Sequence, residues 1–106
     1  MVEVLIERDE EGRVQVVTLQ GDDSPEGLAA GALVEAPLLG MRHYLHLDPE
    51  SSREGSMLRF RVDRSDIFLD REIDAILETM VLGLRALEQG RPGRLAVREV
   101  GLDVKV

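Results

Sequence analysis

The residues able to do chemistry are concentrated in two short stretches, of which the first surrounds Ser24. Asp22 and Asp23 precede this serine, and a hydroxyl beside carboxylates is an ingredient of nucleophilic or acid–base sites. No histidine lies nearby in the sequence to act as a base. We therefore interpret Ser24 as the N-cap of a helix with Pro25 at its first position, and the aspartates as a solvated turn complementing the helix dipole. Asp23 is an alternative cap.

The second stretch holds the only two histidines. His43 and His46 stand three residues apart with Asp48 close behind, a spacing that could hold a metal ion. Two imidazoles near an exposed helix end are more simply interpreted as polar surface. We predict no metal and no other cofactor.

Composition narrows the function classes further. The chain has no cysteine, which excludes disulfides, zinc–thiolate sites and a thiol nucleophile. A net charge of −8 repels nucleic acid unless basic residues gather on one face. Arg59, Arg61 and Arg64 alternate beside Asp63 and Asp66, which we interpret as a solvated sheet face. A basic partner is favoured instead, and ribosomal proteins are an abundant class of basic proteins.

Length and hydropathy indicate a single domain over residues 1–106. Hydrophobic residues make up 43% and aromatic residues only 3%, so the core must be aliphatic. No apolar run approaches the ~20 residues needed to cross a bilayer, and no signal peptide is visible. We expect a cytosolic protein, and the many arginines favour a bacterial source.

The strongest structural pattern is a helix over Asp70–Gly90. We predict Asp70 as its N-cap, Gly90 as a left-handed exit, and Pro92 as the residue that prevents its continuation. Its core-facing stripe comprises Ile73, Ile76, Leu77, Met80, Val81, Leu84 and Leu87. The opposite side carries Ala75, Leu82 and Ala86, which predict either a dimer seam or contact with a second helix.

The first half of the chain predicts a hairpin and another helix. Residues 2–20 alternate between apolar and polar around a turn in which Gly12 supplies a positive φ. The Ala- and Leu-rich segment from Leu28 to about Leu47 predicts the second helix, which Pro37 should kink or split.

The second half predicts two more strands. Asp48–Gly55 has the composition of a solvated loop, and Met57–Asp63 alternates as a strand. Ile67–Leu69 either extends this strand or packs beneath the next helix. The final strand shows a shift of phase that predicts a bulge or bend near Gly101. Its apolar residues are Leu95, Val97, Val100, Leu102, Val104 and Val106.

Together these elements predict the order β-β-α-β-α-β. We therefore expect an α+β fold, a two-layer α/β sandwich in which two helices cover one face of a mostly antiparallel sheet.

Segments at both ends of the chain carry a family resemblance. The hairpin IERDEEGRVQVVTLQG leads into a small-residue helix, and LETMVLGLRALEQ precedes a PGRLAV strand. These segments resemble the ribosomal-processing cysteine proteases (Prp), over nearly the whole chain in order and length. The resemblance implies an α/β sandwich that forms dimers and clips an N-terminal extension from a large-subunit ribosomal protein.

The catalytic residues of that family are absent. Its histidine follows the glycine that ends the second strand, and its cysteine lies in a Cys-Ala-(Ala/Gly)-like run at the start of the first helix. Here Gly21 is followed by Asp22, and the nucleophile position falls at Ala29, give or take one residue. The connecting loop is also several residues shorter. Because thiolate attack needs both groups, and dismantling a comparable protease site costs on the order of 10⁶ in rate, we expect no turnover.

The resemblance therefore implies a pseudoenzyme kept as a ribosome-associated binding or structural domain. We expect an acidic rim to hold a basic, extended peptide from a large-subunit ribosomal protein, in a homodimer that contacts neither nucleic acid nor membrane. The rim residues are Gly21, Asp22, Asp23, Ser24 and Glu26. Two alternatives stay open: a hydrolase with relocated chemistry at Ser24 or the histidine pair, and a ligand-free dimeric assembly domain.

Overall fold

The chain forms one mixed sheet and two helices in a computed structural model, which describes residues 1–101. The order β-β-α-β-β-α-β confirms the α+β class and adds one strand to the predicted set. The elements are β1 (Val2–Arg8), β2 (Val14–Gln20), α1 (Pro25–His43), β3 (Glu50–Glu54), β4 (Met57–Arg61), α2 (Asp70–Gly90) and β5 (Leu95–Gly101).

The five strands lie in the order β3-β4-β2-β1-β5. Only the β1–β5 pair is parallel within residues 1–101. Both helices pack on one face, where the core is almost entirely aliphatic. Its largest fully buried side chains include Ile6, Leu38, Met41, Phe60, Ile73, Leu77 and Leu84. The helices meet closely at Gly83, where an added Cβ would lie 3.1 Å from Leu33 Cδ2.

The predicted hairpin is confirmed, and its turn shows why the chain reverses there. Asp9 Oδ1 accepts hydrogen bonds from the N–H groups of Glu11 (3.0 Å) and Arg13 (2.9 Å). Gly12 adopts a φ of 82°, which a residue without Cβ reaches at no steric cost.

The predicted loop over Asp48–Gly55 is wrong, because most of it is the edge strand β3. All five residues of β3 are exposed, so its sequence lacks the apolar alternation of a half-buried strand. Pairing with β4 forms it instead, and Gly55 makes the tight turn with a φ of 58°. Its side chains reach α1 through Ser51, which accepts from Arg42 Nη2 at 2.7 Å, and through Arg53.

Helix α1 begins before Leu28, ends before Leu47, and runs as one helix through Pro37. The predicted split is therefore wrong. Proline removes a single backbone N–H from the helix interior, and Pro37 is itself buried with Leu38 and Met41 against the core. Tertiary packing offsets the missing hydrogen bond.

Helix α2 presents the predicted stripe to the core, with Ile76 and Leu87 at its half-buried margins. Its ends differ from the prediction. Leu69 is the N-cap and makes no side-chain capping bond. The carboxylate of Asp70 instead accepts from Arg64 Nη2 at 2.8 Å. Gly90 is still helical, and the left-handed glycine is Gly93 with a φ of 84°.

Arg64 does not lie on a solvated sheet face, although Arg59 and Arg61 do. Strand β4 ends at Arg61, but burial goes on alternating, with Val62 buried, Asp63 exposed and Arg64 buried. Arg64 is only 5% exposed and donates to the Val14 carbonyl at 2.7 Å and to carboxylates of α2. This contact ties the hairpin to the start of α2.

The segment before α2 neither extends β4 nor packs as a unit. Ile67 and Phe68 are 76% and 86% exposed, whereas Leu69 packs against the core. Both exposed side chains sit in a turn closed by Asp66, whose Oδ1 accepts the Phe68 N–H at 2.9 Å.

Strand β5 pairs with β1 in an unbroken parallel register up to Gly101. The bulge predicted near Gly101 is therefore wrong within the described residues. Val97 is buried and Val100 is 40% exposed because residues three apart in a strand face opposite sides. Leu102, Val104 and Val106 lie outside the described residues. No helix in residues 1–101 is long and apolar enough to cross a membrane.

Candidate functional site

A groove of about 600 Å³ opens between the N-terminal half of α1 and the ends of β2 and β4. The tight turn between β3 and β4 closes one side. Four glycines line it: Gly21, Gly27, Gly31 and Gly55. The remaining lining includes the apolar Leu19, Leu28, Ala32, Met57 and Leu58, and the charged Asp22, Asp23, Glu35 and Arg53.

One end of the groove is shaped by the turn that opens α1. Ser24 caps the helix as predicted, because its Oγ accepts the Gly27 N–H at 3.0 Å. The same hydroxyl donates to Asp22, whose carboxylate also accepts the Ser24 N–H at 2.9 Å. These bonds, above all the one from the hydroxyl, hold the pKa of Asp22 below its usual value. A Cβ at Gly27 would lie 2.2 Å from the Asp22 carbonyl oxygen, so this close approach requires glycine.

The charges at this end are largely exposed. The Asp22 carboxylate lies 3.7 Å from the N-terminal ammonium of Met1. Asp23 is also exposed and makes no hydrogen bond or ion pair to any part of the chain that the structure describes. This end of the groove therefore presents negative charge.

The far end is crossed by an ion pair. Arg53 of β3 donates to both carboxylate oxygens of Glu35 on α1. The hydrogen bond from Arg53 lowers the pKa of Glu35, so the carboxylate stays ionised at neutral pH. The pair joins the two walls of the groove and limits its length.

The predicted nucleophile position, Ala29 give or take one residue, lies in the first turns of α1. Leu28, 69% exposed, lines the groove, whereas Ala29 does not belong to the lining. Neither side chain can attack a carbonyl. Glu26 is misplaced by the sequence prediction, because it is 4% exposed and lies 3.7 Å from Arg91 Nη1 rather than at the rim.

The structure does not assemble a relocated hydrolase site. The Ser24 hydroxyl already donates to Asp22 and accepts the Gly27 N–H. His43 is exposed at the other end of α1, about 28 Å from Ser24 at 1.5 Å per helical residue. His46, also exposed, lies beyond it, and residues 1–101 contain no group of three or more potential metal ligands from His, Cys, Asp and Glu.

Ala75, Leu82 and Ala86 all remain exposed on the outer side of α2. Leu82 is 71% exposed, so it does not serve as the predicted contact with the second helix. Ala75 alone borders α1, in a shallow apolar groove of about 420 Å³ between the helices. The close helix contact is made by Leu33 and Gly83 instead.

Several groove residues escaped the sequence analysis. Leu28, Gly31, Ala32 and Glu35 share one face of α1 because they are three or four residues apart. This helical spacing can be found in the sequence, whereas the opposite wall of the groove left no recognisable sequence pattern. Arg53 belongs to β3 and Gly55 to the turn after it, a segment whose polar composition predicted a loop.

Comparison with known proteins establishes the class of fold. No protein-family model and no curated protein matches the chain. The structure of the essential ribosomal processing protease Prp from S. aureus, with a covalently linked product peptide, is similar with a TM-score of 0.81 and 21% identity over 93% of this chain and 99% of that one. SMU.848 from Streptococcus mutans gives a TM-score of 0.81 and 14% identity over 95% of each chain.

A hypothetical protein from Staphylococcus aureus is similar with a TM-score of 0.72 and 22% identity, covering 93% and 99% of the two chains. The chain thus has a Prp-like fold. At these identities the likeness defines the fold alone. The absence of cysteine argues against cysteine protease activity on this scaffold.

Proposed function

We propose that this chain is a non-catalytic, ribosome-associated domain that holds a basic, extended peptide of a large-subunit ribosomal protein in the groove beside α1. The observation that carries the proposal is an open groove in a Prp-like fold whose sequence has no cysteine. Such a site can bind a peptide but has no thiol with which to cleave it. The proposed role belongs in the bacterial cytosol.

The shape and charge of the groove support a peptide. Gly31 and Gly55 leave open space in which a peptide backbone can approach closely, and Leu28 and Met57 offer apolar surface. The negative charge at Asp22 and Asp23 attracts basic side chains. Two of the similar structures are complexes of S. aureus Prp with peptides, which supports a peptide as the kind of ligand that this fold accepts.

The open groove also favours peptide binding over the two alternatives, an assembly domain and a relocated hydrolase. A ligand-free assembly domain would be favoured by a site filled with side chains, and here the site is open. A relocated hydrolase is disfavoured because Ser24 is committed to capping and has no histidine beside it. The binding role therefore stands ahead of both.

Calorimetric titration with the N-terminal peptide of the ribosomal protein tests the proposal. Gly31→Leu places an apolar side chain in the groove, where the added Cβ meets nothing within 4 Å. Leucine is also the better helix former by about 0.8 kcal/mol, so the variant should fold. We expect the native chain to bind and Gly31→Leu to bind at least tenfold more weakly.

Gly90→Leu is the control, since its Cβ also meets nothing within 4 Å and the residue lies outside the groove lining. It should bind like the native chain. No heat at high micromolar peptide, or equal binding by Gly31→Leu, would contradict the proposal.

We also propose that two copies associate through the outer side of α2 that carries Leu82. Leu82 is the large exposed apolar residue there, flanked by Ala75 and Ala86. Burying this leucine against a second copy would remove apolar surface from water, which is favourable.

A further inference from the structure

The helical wall of the groove presents three different surfaces in succession. Leu28 is followed one turn later by Gly31 and Ala32, and after another turn by Glu35. Space above Gly31 is empty, because a Cβ there would meet no atom within 4 Å. The middle of this wall is therefore an unfilled apolar subsite in a groove that Met57 also lines.

The acidic end lies at a defined distance from that subsite. The backbone of Asp22 packs against Gly27 so closely that a Cβ would stand 2.2 Å from its carbonyl oxygen. Gly31 lies four residues further along α1, about 6 Å along the helix axis. Asp22 therefore stands about 6 Å from the apolar subsite along the helix axis, and Asp23, the next residue, lines the same end of the groove.

The opposite limit is set by the bridge between Glu35 and Arg53. Glu35 lies another four residues, about 6 Å, beyond Gly31. The usable groove between the acidic turn and the bridge is thus about 12 Å long. An extended peptide advances about 3.3 Å per residue, so roughly four residues fit between the two ends.

These distances match the repeat of an extended peptide. Side chains two residues apart point to the same face and are separated by about 6.6 Å, close to the spacing between the acidic turn and the space above Gly31. We propose that the groove selects extended peptides in which a lysine or arginine stands two positions from an aliphatic residue. This inference rests on the proposed peptide-binding function and adds the pattern that the groove recognises.

Designed peptides of defined spacing provide the test. The probes are acetylated, amidated heptapeptides of serine and threonine that carry one lysine and one leucine. In two probes these are two positions apart, one in each order; in a third they are adjacent and so point to opposite faces. A fourth has glutamate in place of lysine. We expect one of the first two to bind at least tenfold more tightly, by calorimetry, than the third and fourth.

Two variants test which part of the groove recognises the basic residue and which recognises the aliphatic residue. Asp23→Lys should reverse the preference for lysine over glutamate, and Gly31→Leu should remove the advantage of two-residue spacing. Glu10→Lys, an equal charge change in the exposed hairpin turn outside the groove, should leave both preferences unchanged.

The outcomes separate the two proposals. Equal binding of all heptapeptides overturns the inference and leaves peptide binding in place. The same holds if the ribosomal peptide binds while no heptapeptide does. If neither the ribosomal peptide nor any heptapeptide binds, the proposed function fails as well. Preferences that Glu10→Lys changes as strongly as Asp23→Lys would also overturn the inference, because they would reflect overall charge.

Discussion

Ser24 illustrates how a reactive side chain can be fully occupied by structure. Its hydroxyl donates to Asp22 and accepts the Gly27 N–H, so the same atom fixes the acidic turn and caps α1. Sequence pattern predicted this role, since Ser-Pro before a helical segment is a start signal. What the pattern could not give was the direction of Leu28 into the groove, because burial depends on the opposite wall.

Arg64 carries the largest single-residue effect that we predict on stability. Its side chain is 2% exposed and pairs with Asp70 and Asp74, whose side chains are 30% and 40% exposed. Removing one member of a buried ion pair costs about 3–5 kcal/mol, and the partial exposure of the aspartates reduces this. Arg64→Met should lower the free energy of unfolding in urea by about 2–3 kcal/mol.

Arg59→Met is the control for Arg64→Met, since Arg59 is exposed on the neighbouring strand. Exposed substitutions of this kind fall within about 0.5 kcal/mol of the native value. A similar small effect for Arg64→Met would show that the buried cluster does not stabilise the fold.

At the scale of elements, an ion-pair network joins β1, β5 and α2. Glu99 accepts from Arg8 Nε at 2.9 Å and from Arg85 Nη2 at 2.8 Å. Glu88 accepts the Val97 N–H at 2.8 Å. Burial opposes the ionisation of Glu99, but the arginines outweigh it and lower its pKa. The Val97 N–H likewise lowers the pKa of Glu88.

These lowered pKa values predict instability in acid. A carboxylate with a lower pKa in the folded state stabilises the fold above its unfolded pKa, about 4.3 for glutamate. That contribution is lost as the pH falls through the folded value. We expect the free energy of unfolding of the native chain to decline below about pH 4.5, and Glu99→Gln to decline less steeply because one such group is gone.

Glu50→Gln on β3 is the control for Glu99→Gln, since Glu50 is exposed and has no ion pair within residues 1–101. Its pH profile from urea unfolding should match that of the native chain. Identical slopes for Glu99→Gln and the native chain would contradict the role of the network.

The elements also show what the sequence could determine. Period-two alternation located β1, β2 and β4, and period-3.6 spacing located α2, because each buries one face. Strand β3 buries no side chain, so its pairing with β4 left no pattern. At Pro37 the sequence pattern predicted a break that does not occur. The local propensity of proline opposes a helix, but the burial of α1 against the core outweighs it.

At the scale of the whole molecule, we predict a dimer that depends on Leu82. Leu82→Arg replaces the exposed leucine of the proposed contact with a charged side chain and should shift the mass measured by light scattering from two chains to one. Ile67→Arg is the control, because Ile67 is equally exposed at 76% but lies before α2, and it should remain dimeric. A native chain that is monomeric at high micromolar concentration would contradict the prediction.

The groove itself is best tested by amide NMR during titration with the N-terminal ribosomal peptide, because one sample reports both location and cleavage. Gly21, Gly31 and Gly55 line the groove, whereas Gly40 and Gly83 lie between the helices. We predict that the first three amides shift progressively while the peptide keeps its full length. Shifts confined to Gly40 and Gly83, or the appearance of a shortened peptide, would contradict a groove that binds and does not cut.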